Sequence, residues 1–336
     1  MTRLADGVLA YRDHPVHRSL EEPPAVWREG NTRVLDFGAT HRAARGKGVR
    51  AVLVVPSLIN RWEVLDLTAD KSLLRAMAAQ GLRPYLVDWG TPDAEERRFD
   101  LATYIARLDR ALAFVAKRAR RRPAVMGYCM GGTLSVMFAA RHADKLRGLV
   151  LLGTPVEFRL SGELYDLTDR RRFDADLLMD VLGNMPPFMM QSGFKLLNPL
   201  DAVNKLTSLL RDAGDGERVR HFVALESWLD DNVAFPGGVY REYIRALYQD
   251  DLLCKRIMRI AGTPVDLAKL TAPLLNVIAL RDHICAPPAS RALMPLVGAK
   301  EKEVMEFDTG HIGLTTSRRS LSELWPRIAD WMELRA

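Results

Sequence analysis

The sequence predicts an α/β fold built around a mostly parallel sheet, and three observations lead to this prediction. Short apolar runs alternate along the chain with amphipathic segments, as strands alternate with crossover helices. The alternation stops over residues 157–268, where helical patterns and Pro and Gly breaks replace it, and then resumes. Within the alternation, glycines flank a cysteine in the pattern Gly127-x-Cys129-x-Gly131. We therefore expect a single domain over residues 1–336, with an inserted cap at 157–268.

The elements follow from local signals. Residues 49–58 are an apolar run that ends in Pro and Ser, as a fully buried parallel strand does. A helix is expected at about 70–80, between Asp70 as N-cap and Gly81 as the stop. Before the cap, the same signals predict a strand at 83–90, an amphipathic helix at 99–119, a strand at 123–128, a helix at 130–142 and a strand at 146–156. After the cap they predict a strand at 272–280, a helix near 288–296, a strand at 302–307 and a last helix at about 319–334.

The composition is that of a globular protein. The chain has 336 residues, of which 48% are hydrophobic and 27% charged. No apolar run approaches the roughly 18 residues of a membrane span, and the amino terminus does not resemble a secretory signal. Cys129, Cys254 and Cys285 are an odd, widely spaced set without metal-ligand spacing. We therefore expect a cytoplasmic protein with neither disulfides nor a bound metal.

The net charge of +6 raises the question of an anionic partner. Two basic runs, at residues 117–122 and 170–172, carry much of the excess. The first run falls in the last turn of a predicted helix that ends before Pro123, where basic residues are favourable. Neither run has interleaved aromatic residues, so solvated helix faces are the better interpretation, and no nucleic-acid partner is expected.

The pattern around Cys129 has the shape of a nucleophile elbow, in which a strand ends in one strained residue and a helix follows at once. The crowded backbone requires neighbours with little or no side chain, and Gly127 and Gly131 meet that requirement. A buried structural cysteine is the ordinary alternative. The position between strand and helix favours a nucleophile, because the helix N-terminus stabilises a thiolate.

A nucleophile of this kind needs a base and an orienting acid, which follow it along the chain in the α/β-hydrolase fold. Asp282 comes just after the strand at 272–280, and His311 comes just after the strand at 302–307. Both lie at the carboxyl ends of strands, where open α/β sheets build their sites. The sequence therefore predicts an α/β-hydrolase fold with Cys129, Asp282 and His311 as the catalytic residues.

Several neighbouring assignments stay open. His283 is a competing base or a substrate contact, and Asp308 is a competing acid. The oxyanion hole is expected to use the backbone N–H of Met130 and a second N–H from the loop after the first predicted strand. That second donor is Leu58 or Ile59, and the next two residues, Asn60 and Arg61, are expected to contact substrate or simply to form the loop.

Cysteine suits acyl transfer from thioesters, because the acyl-enzyme is itself a thioester and remains a good acyl donor. Six segments of the chain resemble the polyhydroxyalkanoate synthases, in the same order, across residues 50–315. They are VPSLINRWEVLDL at 55–67, LVDWGTPD at 86–93, GYCMGGTLS at 127–135, LLGTPVEF at 151–158, LRDHICAPPASRAL at 280–293 and GHIG at 310–313. Glu63 departs from the family, whose members often have an aromatic residue there, and this leaves the acyl-chain preference open.

The resemblance implies (R)-3-hydroxyacyl-CoA as substrate, with 3-hydroxybutyryl-CoA the expected form, and no cofactor apart from the CoA of the substrate. It implies that Cys129 carries the growing chain, with His311 as base and Asp282 as its partner. The chain is similar to the short, class III-like catalytic subunit, which implies an accessory subunit, a homodimer and a polyester granule surface as partners. Two other functions stay open: a cysteine-dependent esterase, thioesterase or depolymerase, and a catalytically silent protein that binds a granule or a synthase.

Overall fold

The computed structural model describes residues 20–46, 49–197, 207 and 215–335. Its main feature is one eight-stranded sheet in the order β1-β2-β4-β3-β5-β6-β7-β8. The strands are Ala25–Glu29 (β1), Thr32–Asp36 (β2), Arg50–Val55 (β3), Leu82–Asp88 (β4), Ala124–Tyr128 (β5), Leu149–Leu152 (β6), Leu274–Ala279 (β7) and Lys302–Phe307 (β8). Strands β3 to β8 pair in parallel, whereas β2 pairs antiparallel with both β1 and β4. The predicted α/β-hydrolase fold is confirmed.

The hairpin of β1 and β2 was not among the sequence predictions. Its strands are joined by the two residues Gly30 and Asn31. Gly30 has φ 56°, a conformation that glycine adopts without the Cβ clash of other residues. A Gly-Asn pair between two alternating segments is the signal that could have revealed this hairpin.

Helices cover both faces of the sheet. Leu101–Ala119 (α2) and Met130–His142 (α3) pack on one face, where Leu108 and Leu134 are fully buried. Leu73–Ala79 (α1) and the carboxyl-terminal helix Trp325–Arg335 pack on the other. Among the helices that the structure describes, none is both long enough and apolar enough to cross a bilayer.

The cap sequence leaves the sheet after β6 and returns to it at β7. Its described part contains the helices Glu163–Leu167 (α4), Ala175–Leu182 (α5), Pro187–Leu196 (α6), Gly216–Asp230 (α7) and Gly237–Tyr243 (α8). Helix α8 continues as a π-helical segment, Ile244–Gln249. A short antiparallel ribbon, Arg259–Ile260 with Thr263–Pro264, follows.

Several predicted boundaries need correction. Helix α1 begins at Leu73 and not near residue 70, because Ser72 is its N-cap and its Oγ accepts a hydrogen bond from the Arg75 N–H at 3.0 Å. The helix near 288–296 is only Pro287–Arg291 (α9), and a short helix, Gly313–Thr316 (α10), follows the predicted histidine. The last helix, Trp325–Arg335 (α11), is preceded by a π-helical segment, Ser320–Leu324. The strands predicted at 83–90, 146–156 and 272–280 are shorter than expected.

Substitution of Gly131 tests the close packing between the β5–α3 junction and the end of β3. A Cβ at Gly131 would collide with the backbone carbonyl oxygens of Val55 and Pro56. We expect Gly131→Ala to lower the free energy of unfolding by about 1–3 kcal/mol, as overpacking does. Gly193→Ala is the matched control, since nothing lies within 4 Å of its Cβ position in α6. Denaturant unfolding should show the control unchanged or slightly stabilised, and equal effects at both positions would contradict this account.

Candidate active site

Cys129 lies at the junction of β5 and α3 in a strained conformation. Its φ of 53° and ψ of −127° fall in a region that residues other than glycine rarely adopt. Its N–H donates to the Leu152 carbonyl at 2.9 Å, and its own carbonyl accepts from the Gly132 N–H at 2.9 Å. The strained backbone is therefore fixed both by the neighbouring strand and by the first turn of α3. This is the geometry of a nucleophile elbow.

Asp282 and His311 form a buried pair beside this junction. Asp282 Oδ2 lies 2.6 Å from His311 Nδ1. Asp282 Oδ1 accepts hydrogen bonds from the backbone N–H groups of Ile284 at 2.8 Å and Cys285 at 2.7 Å. The carboxylate is thus held in place by the loop after β7, and it orients the imidazole through Nδ1.

The surroundings of His311 favour its protonated form. Burial acts to lower the pKa of His311, but negative charge beside the ring, with the hydrogen-bonded Asp282 carboxylate as its fixed source, places it well above its ordinary value. A partner carboxylate that stabilises the imidazolium is what a histidine base requires. The raised pKa makes His311 a stronger base toward an acidic group next to it, and Asp282 stabilises the imidazolium that forms.

The competing assignments lie apart from this pair. Asp308 Oδ1 lies 2.8 Å from Arg281 Nε in an exposed ion pair, and the carboxylate bonded to His311 is that of Asp282. His283 is exposed at the edge of the cavity that contains Cys129 and His311. The geometry favours Asp282 over Asp308 as the acid.

One cavity of about 430 Å³ joins the predicted residues to the cap. Cys129, His311, His283, Ile59, Asn60 and Arg61 all line it. From the cap, Phe194 of α6 and Trp228 and Leu229 of α7 line it. The cap therefore forms the apolar wall of the cavity that contains the reactive groups.

The loop after β3 is tied to the end of α7 by three polar contacts, which we call the latch. Asn60 Nδ2 donates to Asn232 Oδ1 at 2.8 Å. Arg61 Nε lies 2.9 Å from Asp231 Oδ2, and Trp228 Nε1 donates to the Arg61 carbonyl at 2.8 Å. Asn60 and Arg61 thus engage the cap in this structure, and their contact with substrate stays a prediction.

The predicted oxyanion donors differ in their surroundings. The Ile59 N–H already donates to Ser57 Oγ at 3.1 Å, although Ile59 lines the cavity. Across residues 49–197 and 215–335, no backbone hydrogen bond has the N–H of Met130 or of Leu58 as its donor. Neither of these two residues is among the described ones that line the cavity. Because the Ile59 N–H is already bonded to Ser57, Leu58 is the better candidate for the second donor, beside Met130.

Comparisons with known proteins bear on the fold and the family of this chain. The family profile described as alpha/beta hydrolase fold matches residues 68–317. The poly(3-hydroxyalkanoate) polymerase subunit PhaC of Haloferax mediterranei is 34% identical over 315 residues, which are 93% of this chain and 63% of that protein. PhaC of Allochromatium vinosum is 32% identical over 287 residues, which are 84% of this chain and 81% of that protein. This chain belongs to the poly(3-hydroxyalkanoate) polymerase family. The resemblance predicted from the six segments is confirmed.

The lengths of the polymerase relatives differ. The chain spans less than two thirds of two archaeal relatives, 63% of the Haloferax protein and 61% of the PhaC subunit of Haloarcula marismortui. Among solved structures, the monoacylglycerol lipase of Paleococcus ferrophilus has a TM-score of 0.55 at 17% identity, covering 86% of this chain and 97% of its own. The thioesterase domain from the curacin biosynthetic pathway has a TM-score of 0.52 at 12% identity, covering 94% and 100%. These two likenesses show the fold.

Tyr128 is a site residue of this polymerase-family chain that the sequence analysis missed. Its ring lies 5.1 Å from that of His311, between centroids, at an interplanar angle of 32°. Burial raises the pKa of Tyr128, so its hydroxyl stays neutral. The ring packs against the imidazole and also lines the cavity. In the sequence, only its position next to Cys129 could have indicated that Tyr128 belongs to the site.

The raised pKa of His311 makes the stability of the protein depend on pH. In the unfolded chain the histidine pKa is about 6.5. A folded-state pKa above that value adds stability that is fully present below pH about 6.5, and it is lost as pH rises through the folded pKa. We expect His311→Gln to cost more unfolding free energy at pH about 6 than at pH about 9. Denaturant unfolding across this range measures it, with His283→Gln, an exposed histidine, as control. A difference that is constant with pH would contradict the expectation.

Proposed function

We propose that this chain is a catalytic subunit that polymerises (R)-3-hydroxyacyl-CoA into polyester and releases CoA. The observation that carries the proposal is the strained Cys129, which shares a cavity with the hydrogen-bonded pair of Asp282 and His311 in a chain of the polymerase family. Relatives of this chain are named poly(3-hydroxyalkanoate) polymerase subunits. Cysteine is the nucleophile suited to a thioester substrate, because acyl transfer to it is nearly isoenergetic.

The first step loads the enzyme. His311 takes the proton of the Cys129 thiol, and the thiolate attacks the thioester carbonyl of the acyl-CoA. The oxyanion that forms is stabilised by the N–H groups of Met130 and Leu58. The bond to the CoA sulfur then breaks, and the imidazolium returns its proton to the departing CoA thiolate. Asp282 holds the ring in orientation throughout, as a positioning partner.

The second step lengthens the chain. His311 takes the proton of the 3-hydroxyl of an incoming acyl-CoA, and the alkoxide attacks the carbonyl of acyl-Cys129. An ester bond forms, and the Cys129 thiolate leaves and recovers the proton. The lengthened chain, now attached to CoA, returns to Cys129 by a further thioester exchange. The substrate supplies the only CoA required, and no separate cofactor takes part in this scheme.

The cap has features that support both retention of the thioester and association with partners. Phe194 and Leu229 give the cavity apolar walls that limit hydrolysis of acyl-Cys129. On the outer surface, Leu177, Val181 and Phe188 of α5 and α6 are 64%, 76% and 67% exposed. Such apolar side chains suit an accessory subunit, a second copy of the chain or the surface of a polyester granule in the cytoplasm. Asn60, Arg61 and His283, which line the cavity, are the proposed contacts of the substrate.

Turnover of (R)-3-hydroxybutyryl-CoA tests the proposal. We expect the purified protein, with an accessory subunit co-expressed, to release CoA and form polymer. Cys129→Ala should abolish CoA release because it removes the covalent carrier, while its circular dichroism and melting temperature stay those of a folded protein. CoA and acyl products are followed together. Free 3-hydroxybutyrate in place of polymer would instead identify a hydrolase, and CoA release by a folded Cys129→Ala variant would contradict the role of the thiol.

We expect the latch to control access of acyl-CoA to the cavity. If entry of acyl-CoA requires the cap to open, the isolated chain should show a lag or a low initial rate of CoA release. Asp231→Asn and Asn232→Ala each weaken a contact of the kind that contributes up to about 1 kcal/mol, so each should raise the initial rate about two- to fivefold. Glu323→Gln is the control, since it weakens a surface ion pair of similar length, at 3.0 Å to Arg319. Initial rates indifferent to both latch substitutions would show that the latch is no gate.

A further inference from the structure

A second cluster of reactive side chains lies outside the active-site cavity, where the cap joins the sheet. It consists of Glu157, Asp251 and Cys254, which we call the cap-root cluster. One ligand atom of each residue, a carboxylate oxygen or the sulfur, lies within 4.8 Å of those of the other two. Glu157 follows β6 at the start of the cap, whereas Asp251 and Cys254 follow the π-helical segment near its end. The cluster therefore links the two ends of the cap.

The carboxylates of this cluster are incompletely satisfied. Asp251 is only 3% exposed, and in the described part of the chain its Oδ1 has no hydrogen-bond partner; Glu157 Oε1 has none either. Two cations lie nearby, but among the described residues neither Arg159 nor Lys255 forms an ion pair with these carboxylates, and Lys255 Nζ donates to the Asp250 carbonyl at 2.7 Å. A buried oxygen without a partner is costly, and in native proteins it commonly marks an unseen ion or water.

The pKa values of the cluster also indicate that, among the described residues, it lacks a compensating positive charge. Burial, followed by the charge of Glu157, raises the pKa of Asp251 to about 6. Burial, followed by the charges of Glu157 and Asp251, raises the pKa of Cys254. The backbone of Asp251 has φ 51°, which is uncommon for a residue other than glycine and presents the carboxylate toward the other two side chains. All three groups would be relieved by a positive charge placed among them.

We propose that Glu157, Asp251 and Cys254 bind a single Zn²⁺. A thiolate with two carboxylates suits Zn²⁺, whereas Mg²⁺ and Ca²⁺ require oxygen ligands throughout. The ligand atoms of a tetrahedral Zn²⁺ lie about 3.5 Å apart. In the cluster they lie within 4.8 Å of one another, so small side-chain rotations would bring them to that distance. On binding, the Cys254 thiol gives up to solvent the proton that it now directs at the Val156 carbonyl, 3.3 Å away. Because Cys254 is partly exposed, water fills the fourth position.

The ion would act on the cap and not on the chemistry. It connects the residue at which the chain enters the cap to the segment by which it leaves, so it closes a loop of almost the whole insertion. Closing such a loop removes entropy from the unfolded chain. We therefore expect Zn²⁺ to stabilise the cap against unfolding without any direct contact with the acyl group.

Calorimetric titration of the full chain with ZnCl₂ tests the site. The protein carries Cys129→Ala, so that the active-site thiol cannot bind the ion, and it is freed of metal with a chelator beforehand. We expect one Zn²⁺ per chain. Glu157→Gln, Asp251→Asn and Cys254→Ser should each weaken the affinity at least about tenfold, because each removes a ligand and even outer-shell partners matter that much.

A matched control and two further readouts make the result decisive. Asp250→Asn should leave Zn²⁺ affinity unchanged, since that carboxylate pairs with Arg170 at 2.8 Å on the surface. With Co²⁺ in place of Zn²⁺, a thiolate-to-metal absorption band should appear and be lost in Cys254→Ser. Zn²⁺ should raise the melting temperature of the parent but not of Asp251→Asn. A folded parent that binds no Zn²⁺ would overturn the proposal and leave a proton shared by the two carboxyls as the explanation. Binding that survives all three ligand substitutions would also overturn it.

Discussion

The active site depends on the backbone of Cys129, whose φ and ψ of 53° and −127° cost about 1–3 kcal/mol wherever they occur outside glycine. That strain persists because the sheet fixes both sides of the junction. β5 lies between β3 and β6 in the middle of the sheet, and Gly131 brings α3 against the carbonyl oxygens at the end of β3. The same close approach brings the start of α3 against Val55 and Pro56, which come just before Leu58 in the chain. One strained residue thus determines where the nucleophile and the proposed oxyanion donors can lie.

The parallel sheet then brings the remaining groups to that point. The loops after β5, β7 and β8 leave the same edge, so Cys129, Asp282 and His311 converge although 153 and 29 positions separate them along the chain. Asp282 has no freedom to turn away, because two backbone N–H groups bind its Oδ1 while Oδ2 faces His311. The ring is confined further by Tyr128. A base held by a carboxylate and an aromatic ring can serve first a thiol and then a hydroxyl without a change of position.

The elements nearest this junction were the most predictable from sequence, and the contacts between distant segments were the least. β8 and α3 were predicted with the bounds that the structure gives, because a strong strand signal and the glycines around Cys129 fix them. The Ser72 cap was misjudged in favour of Asp70, since both are good N-caps and only packing chooses between them. The latch and the cap-root cluster could not be predicted from the sequence. Asn60 and Asn232, for example, are 172 positions apart, and the residues of neither group recur at a spacing that a local sequence pattern would reveal. The hairpin of β1 and β2, by contrast, had a local signal that was overlooked.

Two attachments of the cap, the root and the latch, differ in kind, and this difference indicates which of these two sides opens more easily. At the root, Phe158 packs edge-on against Tyr248 and Tyr243, with ring centroids 4.8 and 5.3 Å away, next to the cap-root cluster. Separating these rings would expose a large buried surface to water. At the latch, the Arg61–Asp231 ion pair and the Asn60–Asn232 hydrogen bond are partly exposed contacts that water can replace at little cost, and Trp228 is the one buried side chain among the three contacts. Motion of the cap should therefore begin at the latch, above Cys129, and pivot about the root. An opening of this kind would admit the proposed acyl-CoA substrate while the packing beneath the cap stays intact.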